Sequence, residues 1–283
     1  MDSNTFTVLP MSQRFYLEPG KTYEGSISIV NPADATGDFL YKIEVLPYGV
    51  VGEDYNADFT TVSGHAEIAK WIEVLEPTGA VKPNDTKQID FVIRVPENAP
   101  PGGQYAAVAV SSDTKTESSG GVAVNNVFEL ASLVYANVAG EITYGGEILS
   151  NEVPGFVVTP PIKIGALISN EGNTHQDATF VINVSNFFTG EVILPNEENE
   201  GRYSELIMPE SSRYVSRDIS NLPAIGIIKV NQTIYYNGDV STVEKNVMIC
   251  PIWFMALVIL TILAIIAAII GIIKKHKRKK AVI

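Results

Sequence analysis

"QIDFVIRVPENAPPGGQYAAVAV", residues Gln88 to Val110, starts and ends as a β-strand and breaks in the middle. In its first part Ile89, Phe91, Ile93 and Val95 alternate with Gln88, Asp90 and Arg94. Such period-2 alternation marks a strand with one buried face. Pro96, Pro100 and Pro101 then stiffen the chain, since proline fixes φ and carries no N–H to satisfy. Gly102 and Gly103 allow the sharp entry that a side chain would block. A second apolar run begins at Gln104. A strand that ends, turns a rigid corner and restarts is a strand changing sheets, so the stretch predicts a β-sandwich.

The rest of the body agrees. "SISIV" (Ser26 to Val30) alternates, and "FLYKIEV" (Phe39 to Val45) puts Phe39, Tyr41, Ile43 and Val45 on one face. Pro19-Gly20, Asn31-Pro32, Pro77 to Gly79 and Lys82 to Asp85 punctuate these runs as turns. Helical periodicity is absent before residue 251, so the fold class is all-β. Tyr105 opens a strand where immunoglobulin-like sandwiches place a tyrosine whose hydroxyl bonds back to the corner; an ordinary core aromatic is the alternative. "DTKTESSGG" (Asp113 to Gly121) reads as a long hairpin tip, because the apolar run Val122 to Val138 follows it as the strand closing the first sandwich; a domain linker is the alternative.

A second unit echoes the first. "FTVLP" (Phe6 to Pro10) recurs as "FVVTP" (Phe156 to Pro160), "SISIVNPAD" as "GALISNEGN" (Gly165 to Asn173), and "FLYKIEV" as "TFVINVS" (Thr179 to Ser185). "VKPNDTKQIDF" pairs with "IMPESSRYVSRDI" (Ile207 to Ile219), and "VPENAPPGGQYAAVAV" with "LPAIGIIKVNQTIYY" (Leu222 to Tyr236). The cues keep their order at a period of about 130–150 residues, the mark of a duplicated unit. Asn237-Gly238 is a tight hairpin signal, followed by the last strand "DVSTVEKNV". The expected domains are an immunoglobulin-like sandwich over 1–140, a second over 141–246, a transmembrane helix over 247–273 and a basic tail over 274–283.

The helix rests on "PIWFMALVILTILAIIAAIIGII", Pro251 to Ile273, which carries no charge. As a helix it is about 33 Å long, enough for a hydrocarbon core of about 30 Å. Trp253 and Phe254 stand where an aromatic belt forms. Lys274, Lys275, Lys277, Arg278, Lys279 and Lys280 follow at once. Their clustering makes the tail cytoplasmic and the body extracellular by the positive-inside rule, with the reverse orientation as the alternative. "MDSNTFTVLP" lacks the basic and apolar regions of a signal peptide, so export of the body calls for a start upstream of Met1 or a processed end.

Of 20 basic residues six are in the tail; the other 14 against 32 acidic residues leave the body at −18, while the whole chain is −12. Such a body repels nucleic acid and anionic membrane, whereas the tail is drawn to an anionic inner leaflet. Cys250 is the only cysteine, so no intrachain disulfide forms, which points to a bacterial or archaeal envelope protein rather than a secreted eukaryotic one.

"LEPGKTYEGSISIVN", "KWIEV" and "VKPNDTKQIDFVIRVPENAPPGGQYAAV" together resemble the N-terminal domain of bacterial WxL-interacting proteins. Those are cell-surface proteins with two Ig-like domains, a C-terminal span and a short basic tail. The resemblance implies a first domain facing peptidoglycan and a second domain for partner or host proteins. The absent signal peptide departs from that plan, and no binding residue is carried over.

Chemistry-bearing motifs are sparse. His65 and His175 fall in loop-like stretches and read as solvated; His276 is in the tail. They lack zinc-ligand spacing, and no nucleophile motif stands out. "DYNADF" offers Asp54, Asn56 and Asp58 as the opening of a calcium loop, but Phe59 stands where that loop needs Gly, and His65 where it needs Glu. A solvated turn is the plainer reading. "PNEENEGR" (Pro195 to Arg202) is a charged loop or a cation or partner site. The sequons at Asn84, Asn183 and Asn231 matter only in a glycosylating host. The sequence therefore leads to no catalytic, cofactor-binding or metal residues and to no cofactor. It predicts a non-enzymatic, membrane-anchored binding or scaffold protein contacting peptidoglycan or other surface proteins. The alternatives are a tethered assembly factor that lends a strand to surface proteins, favoured by a long open edge strand, and an anchored wall hydrolase, favoured by a deep cleft of convergent acids.

Overall fold

A computed structural model describes residues 6–60, 63–112, 129–197 and 200–280. The fold is all-β, two Ig-like sandwiches followed by one long apolar helix. The chain divides into two compact units. The first comprises residues 1–147 with 169–176 and 206–213; the second comprises 148–168, 177–205 and 214–283.

The first sandwich uses β1 (Thr7–Leu9), β2 (Ser12–Leu17), β3 (Thr22–Asn31), β4 (Phe39–Pro47), β5 (Gly49–Val51), β6 (Asn56–Asp58), β7 (Ile72–Val74), β8 (Thr78–Val81), β9 (Asp85–Arg94), β10 (Gly102–Ser112) and β11 (Glu129–Val138). One sheet runs β1-β3-β9-β7 and the other β2-β11-β10-β4-β8, with β5-β6 as a separate ribbon. The stretch from Gln88 to Val110 does change sheets: β9 is in the first and β10 in the second. The expected hairpin tip, and residues 122–128 of the expected closing strand, lie outside the described residues. A short 3-10 turn, Glu67–Lys70, buries Ile68 and is an element the strand pattern does not signal.

The core forms from the alternating faces read in the sequence, including Ile89, Phe91, Ile93, Tyr41 and Ile43. Burial of such a face is the dominant stabilising term in a chain without disulfides. Gly25 lies directly opposite Phe91 across the β3–β9 ladder. A Cβ built on Gly25 would stand 2.6 Å from Phe91 Cε2 and 3.1 Å from Phe15 Cζ. The missing side chain is thus the seat of an aromatic ring. Gly79 stands likewise opposite Tyr41.

The strand β10 departs from expectation. Residues Gly102 to Val110 are buried on both faces, unlike the one-faced burial read for the other strands. Its second face carries Tyr105 and Ala107, covered by Tyr48, Val50, Tyr55 and Phe59 from around the β5-β6 ribbon. Small alanines leave room for that extra layer.

The second sandwich uses β12 (Ile148–Glu152), β13 (Phe156–Val157), β14 (Ile162–Asn170), β15 (Gln176–Asn186), β16 (Val192–Leu194), β17 (Arg202–Ile207), β18 (Ser211–Ile219), β19 (Gly226–Tyr236) and β20 (Asp239–Ile249). One sheet runs β12-β14-β18 and the other β13-β20-β19-β15-β16, with β17 also on β15. The helix α1 spans Ile252–Lys280. It therefore begins five residues later than the sequence boundary at 247, because β20 continues through Ile249, and it runs on through the basic residues.

Four of the five sequence echoes are equivalent strands: β3 with β14, β4 with β15, β9 with β18 and β10 with β19. The fifth is not. Phe6 to Pro10 holds β1, an antiparallel partner of β3, whereas Phe156 to Pro160 holds β13, a parallel partner of β20. Two details show how closely the copies agree. Asn84 (φ 60°) and Glu210 (φ 52°) take the same left-handed position after a proline, just before equivalent strands. Asn31 Nδ2 donates to Gly37 O and Val81 O, and Asn170 Nδ2 donates to Thr174 O and Ile207 O. Each buried amide ties the end of one strand to the turn that starts another.

Candidate interaction surface

The β19–β20 hairpin closes at Asn237 (φ 48°) and Gly238 (φ 84°), with Tyr236 opposite Asp239. In a two-residue hairpin that closing pair exchanges hydrogen bonds, and bonded and unbonded pairs then alternate. Odd-numbered residues of β20 therefore bond β19, while even-numbered residues point N–H and C=O away from it. Met248 N–H confirms the parity by donating outward to Gly155 O at 3.0 Å, and Cys250 N–H donates to Val157 O at 3.0 Å.

Those outward bonds involve only the last rungs. The covering strand β13 pairs Phe156 with Met248 and Val157 with Ile249. Upstream, the outward backbone groups of Val240, Thr242, Glu244 and Asn246 meet no backbone partner among the described residues. The first sandwich treats its equivalent strand differently. There β2 runs parallel to β11 from Ser12 opposite Leu133 to Leu17 opposite Val138.

The open edge is ordered by its neighbours. Asn151 Nδ2 donates to Ser241 O and Oγ, and its Oδ1 accepts from Gln232 Nε2. Lys245 falls on the core-facing side of β20, and its Nζ donates to Val153 O at 2.9 Å. A charge turned inward is a known guard against indiscriminate strand pairing. On the outer face Val240 is 59% exposed, Thr242 Oγ1 meets Thr233 Oγ1, and Glu244 pairs with Lys229 at 2.8 Å. The Lys229 hydrogen bond holds the Glu244 carboxyl below the usual carboxylate range.

The residues singled out from the sequence are placed as follows. Tyr105 is fully buried, and its hydroxyl accepts from His175 N–H at 3.0 Å instead of returning to its own corner. Burial pushes that phenol well above its ordinary pKa. His65 and His175 are packed rather than solvated: His65 Nδ1 lies 2.9 Å from Gly103 O, and the His175 ring packs edge-on to Tyr105 and Tyr135. Asn56 and Asp58 belong to β6, where Asp58 Oδ1 accepts from Thr60 N–H and Oγ1–H, and Asp54 is in the preceding turn. No group of three or more His, Cys, Asp or Glu that could hold a metal ion occurs among the described residues. In the 195–202 loop, residues 198 and 199 lie outside the described residues. Beside it a cavity of about 210 Å³ is lined by Asn196, Gly201, Tyr203, Arg217 and Asp218. Arg217 stacks over Tyr203 at 4.0 Å, and Tyr203 stacks on Phe180. Two carboxylates, Glu24 and Asp90, line a depression of about 420 Å³ on the outer face of β3 and β9, an open sheet surface and not a deep cleft. The open β20 edge was missed because alternation reports faces, whereas an edge depends on which strands pair.

No protein-family model matches the chain, and no curated protein matches it. The resemblance to WxL-interacting proteins therefore stands at two sandwiches and an apolar helix. Solved structures match in fold. A chain from a chaperone–tip adhesin complex of CFA/I fimbriae is 12% identical, covering 85% of this chain and 98% of that one at a TM-score of 0.41. The class 5 fimbriae chaperone CfaA is 13% identical, over 85% and 99%, at 0.40. A chain from the Salmonella enterica SafA pilin–SafB chaperone complex is 11% identical, over 87% and 96%, at 0.40.

Proposed function

We propose that this chain is a membrane-anchored binding protein that takes up an extended segment of another polypeptide as an added strand along β20. The observation that carries the reading is the open row at Val240, Thr242, Glu244 and Asn246. Four residues with outward N–H and C=O groups suffice for strand addition, in which main-chain bonds supply affinity and alternate side chains supply selectivity. Of the readings opened by the sequence, the edge favours the assembly-factor type over wall binding. The body charge of −18 favours basic or neutral partner segments.

The anchor in this reading is Ile252–Ile273, with a mean hydropathy of 3.2 over its most apolar window. In this reading the basic cluster after it supports a cytoplasmic tail with both sandwiches outside.

Thr242→Pro tests the edge. Proline removes the outward N–H of residue 242 and leaves the β19 ladder intact, since edge positions facing solvent accept it. Displayed ten-residue peptides are selected on the full chain held in phosphatidylcholine nanodiscs. Selected peptides should slow amide exchange at Val240, Thr242, Glu244 and Asn246, and should lose binding to the proline variant. Peptides that bind wild type and Thr242→Pro equally would refute the reading.

A further inference from the structure

The junction between sheet and helix has no free linker. Cys250 N–H is still bonded to the sheet through Val157 O, and Phe254 and Met255 N–H already donate to Pro251 O at 3.0 Å. Whatever surface flanks Cys250 is therefore held at the level where the helix begins. That surface is apolar. Phe156 and Met248 face each other across β13 and β20 and are about half exposed. Ile225 precedes β19, whose first residue, Gly226, lies opposite Ile249. The turn after β15 carries Phe187 and Phe188, 48% and 74% exposed, with rings 5.1 Å apart edge to face.

The position of that turn follows from the ladder. Phe187 N–H donates to Ile227 O, and Ile227 pairs with Met248. Phe187 is thus on the rung of Met248, two strands or about 10 Å to the side. The turn projects past that rung in the same direction as Cys250 and Pro251. The turn is also pre-formed. Asn186 Oδ1 accepts from Phe188 and Thr189 N–H, Asn186 O accepts from Gly190 N–H, and Glu191 O accepts from Asn186 N–H. Its backbone N–H groups from Phe187 to Glu191 are all bonded, so the two phenyl rings are held outward by a fixed scaffold. Glu191 is the only charge from Asn186 to Leu194.

Given the reading of Ile252–Ile273 as a membrane span, we infer that the end of the second sandwich is seated on the bilayer, with Phe187 and Phe188 inserted into the interface beside Trp253. The occupant of this apolar patch is the lipid surface into which the helix on the same strand descends. Phenylalanine and tryptophan favour the headgroup–acyl boundary, and a patch without basic residues needs no anionic lipid. The sandwich then stands on two feet, the helix and the Phe187-Phe188 turn, and the β20 edge is presented at a fixed angle to the membrane.

The test uses the full chain in palmitoyl-oleoyl phosphatidylcholine vesicles, with Cys250→Ser removing the native thiol. Nitroxide labels are placed singly at Thr189→Cys in the turn, Ile259→Cys in the helix and Asp239→Cys at the far hairpin. Collision with oxygen, which concentrates in lipid, is compared with collision with a water-soluble nickel chelate. The expected result is oxygen preference at 259 and 189 and nickel preference at 239. Adding Phe187→Ser and Phe188→Ser should reverse the preference at 189; both side chains are exposed, so the fold has no reason to fail. Oxygen preference at 259 with nickel preference at 189 would overturn the inference and leave the membrane span standing. Unchanged oxygen preference at 189 in the serine variant would equally overturn the role of the rings. Nickel preference at 259 would instead remove the span, and the inference with it.

Discussion

Replacing Gly25 by alanine should destabilise the first sandwich, and the same replacement should stabilise it once Phe91 is gone. Gly25 and Phe91 are directly paired across β3 and β9, and Phe91 is 1% exposed. The added methyl would lie 2.6 Å from Phe91 Cε2, well inside contact distance, with Phe15 Cζ at 3.1 Å closing the other side. The ring cannot move away, because its neighbours Ile27, Ile89 and Ile93 are themselves fully buried. Overpacking of this kind costs about 1–3 kcal/mol. Gly25 has no positive φ, so alanine adopts its backbone freely and recovers about 0.4–1 kcal/mol from the unfolded chain. The net effect of Gly25→Ala is a loss of roughly 0.5–2 kcal/mol. Phe91→Ala alone should cost about 3–5 kcal/mol through lost burial and the cavity. In that background only Phe15 Cζ, at 3.1 Å, still faces the Gly25 methyl and can yield into the space left by Phe91, so Gly25→Ala should gain up to about 1 kcal/mol. The assay is urea unfolding of wild type, both single variants and the double variant in the same detergent, followed by Trp71 fluorescence from within this core. Equal effects of Gly25→Ala in the two backgrounds would refute the pairing of ring and glycine.

Asn170→Ala should cost more than Asn31→Ala. Asn170 serves two buried acceptors, Thr174 O and Ile207 O, whereas one of the acceptors of Asn31 belongs to exposed Gly37. Each orphaned buried carbonyl costs about 1–3 kcal/mol, so the reverse ranking in thermal unfolding would contradict these networks. Alkaline stability should fall between pH 10 and 12. Burial raises the phenols of Tyr105 and Tyr135 and pushes Tyr203 up to about 12. A raised folded pKa gives stability that is complete below the unfolded value near 10 and is lost as pH climbs through the folded value. Melting temperature and phenolate absorbance across this range check it; all 12 tyrosines ionising near pH 10 in the folded chain would contradict it.

Alternation made most of the fold legible. Ile89 to Val95 and Phe39 to Val45 needed no tertiary information, because one wet and one dry face impose period 2 on any strand. The Pro96–Gly103 corner was legible for a related reason, since few other residues turn a chain between sheets. What stayed hidden depends on contacts distant in sequence. Tyr105 gives no sign in its neighbours that its hydroxyl meets His175, 70 residues on. The dry second face of β10 is written as Tyr105 and Ala107, and alanine is as common on wet faces. The Phe187-Phe188 pair is visible in the sequence but passes for core until the turn is seen to hold both rings outside.

The open edge has a compositional origin once the topology is known. In both sandwiches the first strand leaves one sheet and joins the other in parallel with the last strand. In the first sandwich the switch falls at Pro10, before Ser12, whose partner is Leu133. In the second it falls at Pro154, before Phe156, whose partner is Met248. Extending each parallel register backward sets Pro10 level with Ala131 near the start of β11, and Pro154 level with Asn246 near the end of β20. Proline has no N–H for the ladder, and a strand on its near side stays with the sheet it already has. The place of that proline therefore decides how much of the last strand is covered: Leu133 to Val138 in the first sandwich, Met248 and Ile249 in the second. Residues that could have covered β20, Ile148 to Glu152, are committed to β14 instead. Asn151 and Lys245 then brace the crossing segment against β20 through side chains, which steadies the edge and leaves its outward backbone groups unspent. An edge kept open by the placement of one proline, and steadied by two dedicated side chains, has the character of a maintained surface, which is why strand addition at β20 is the reading argued for this protein.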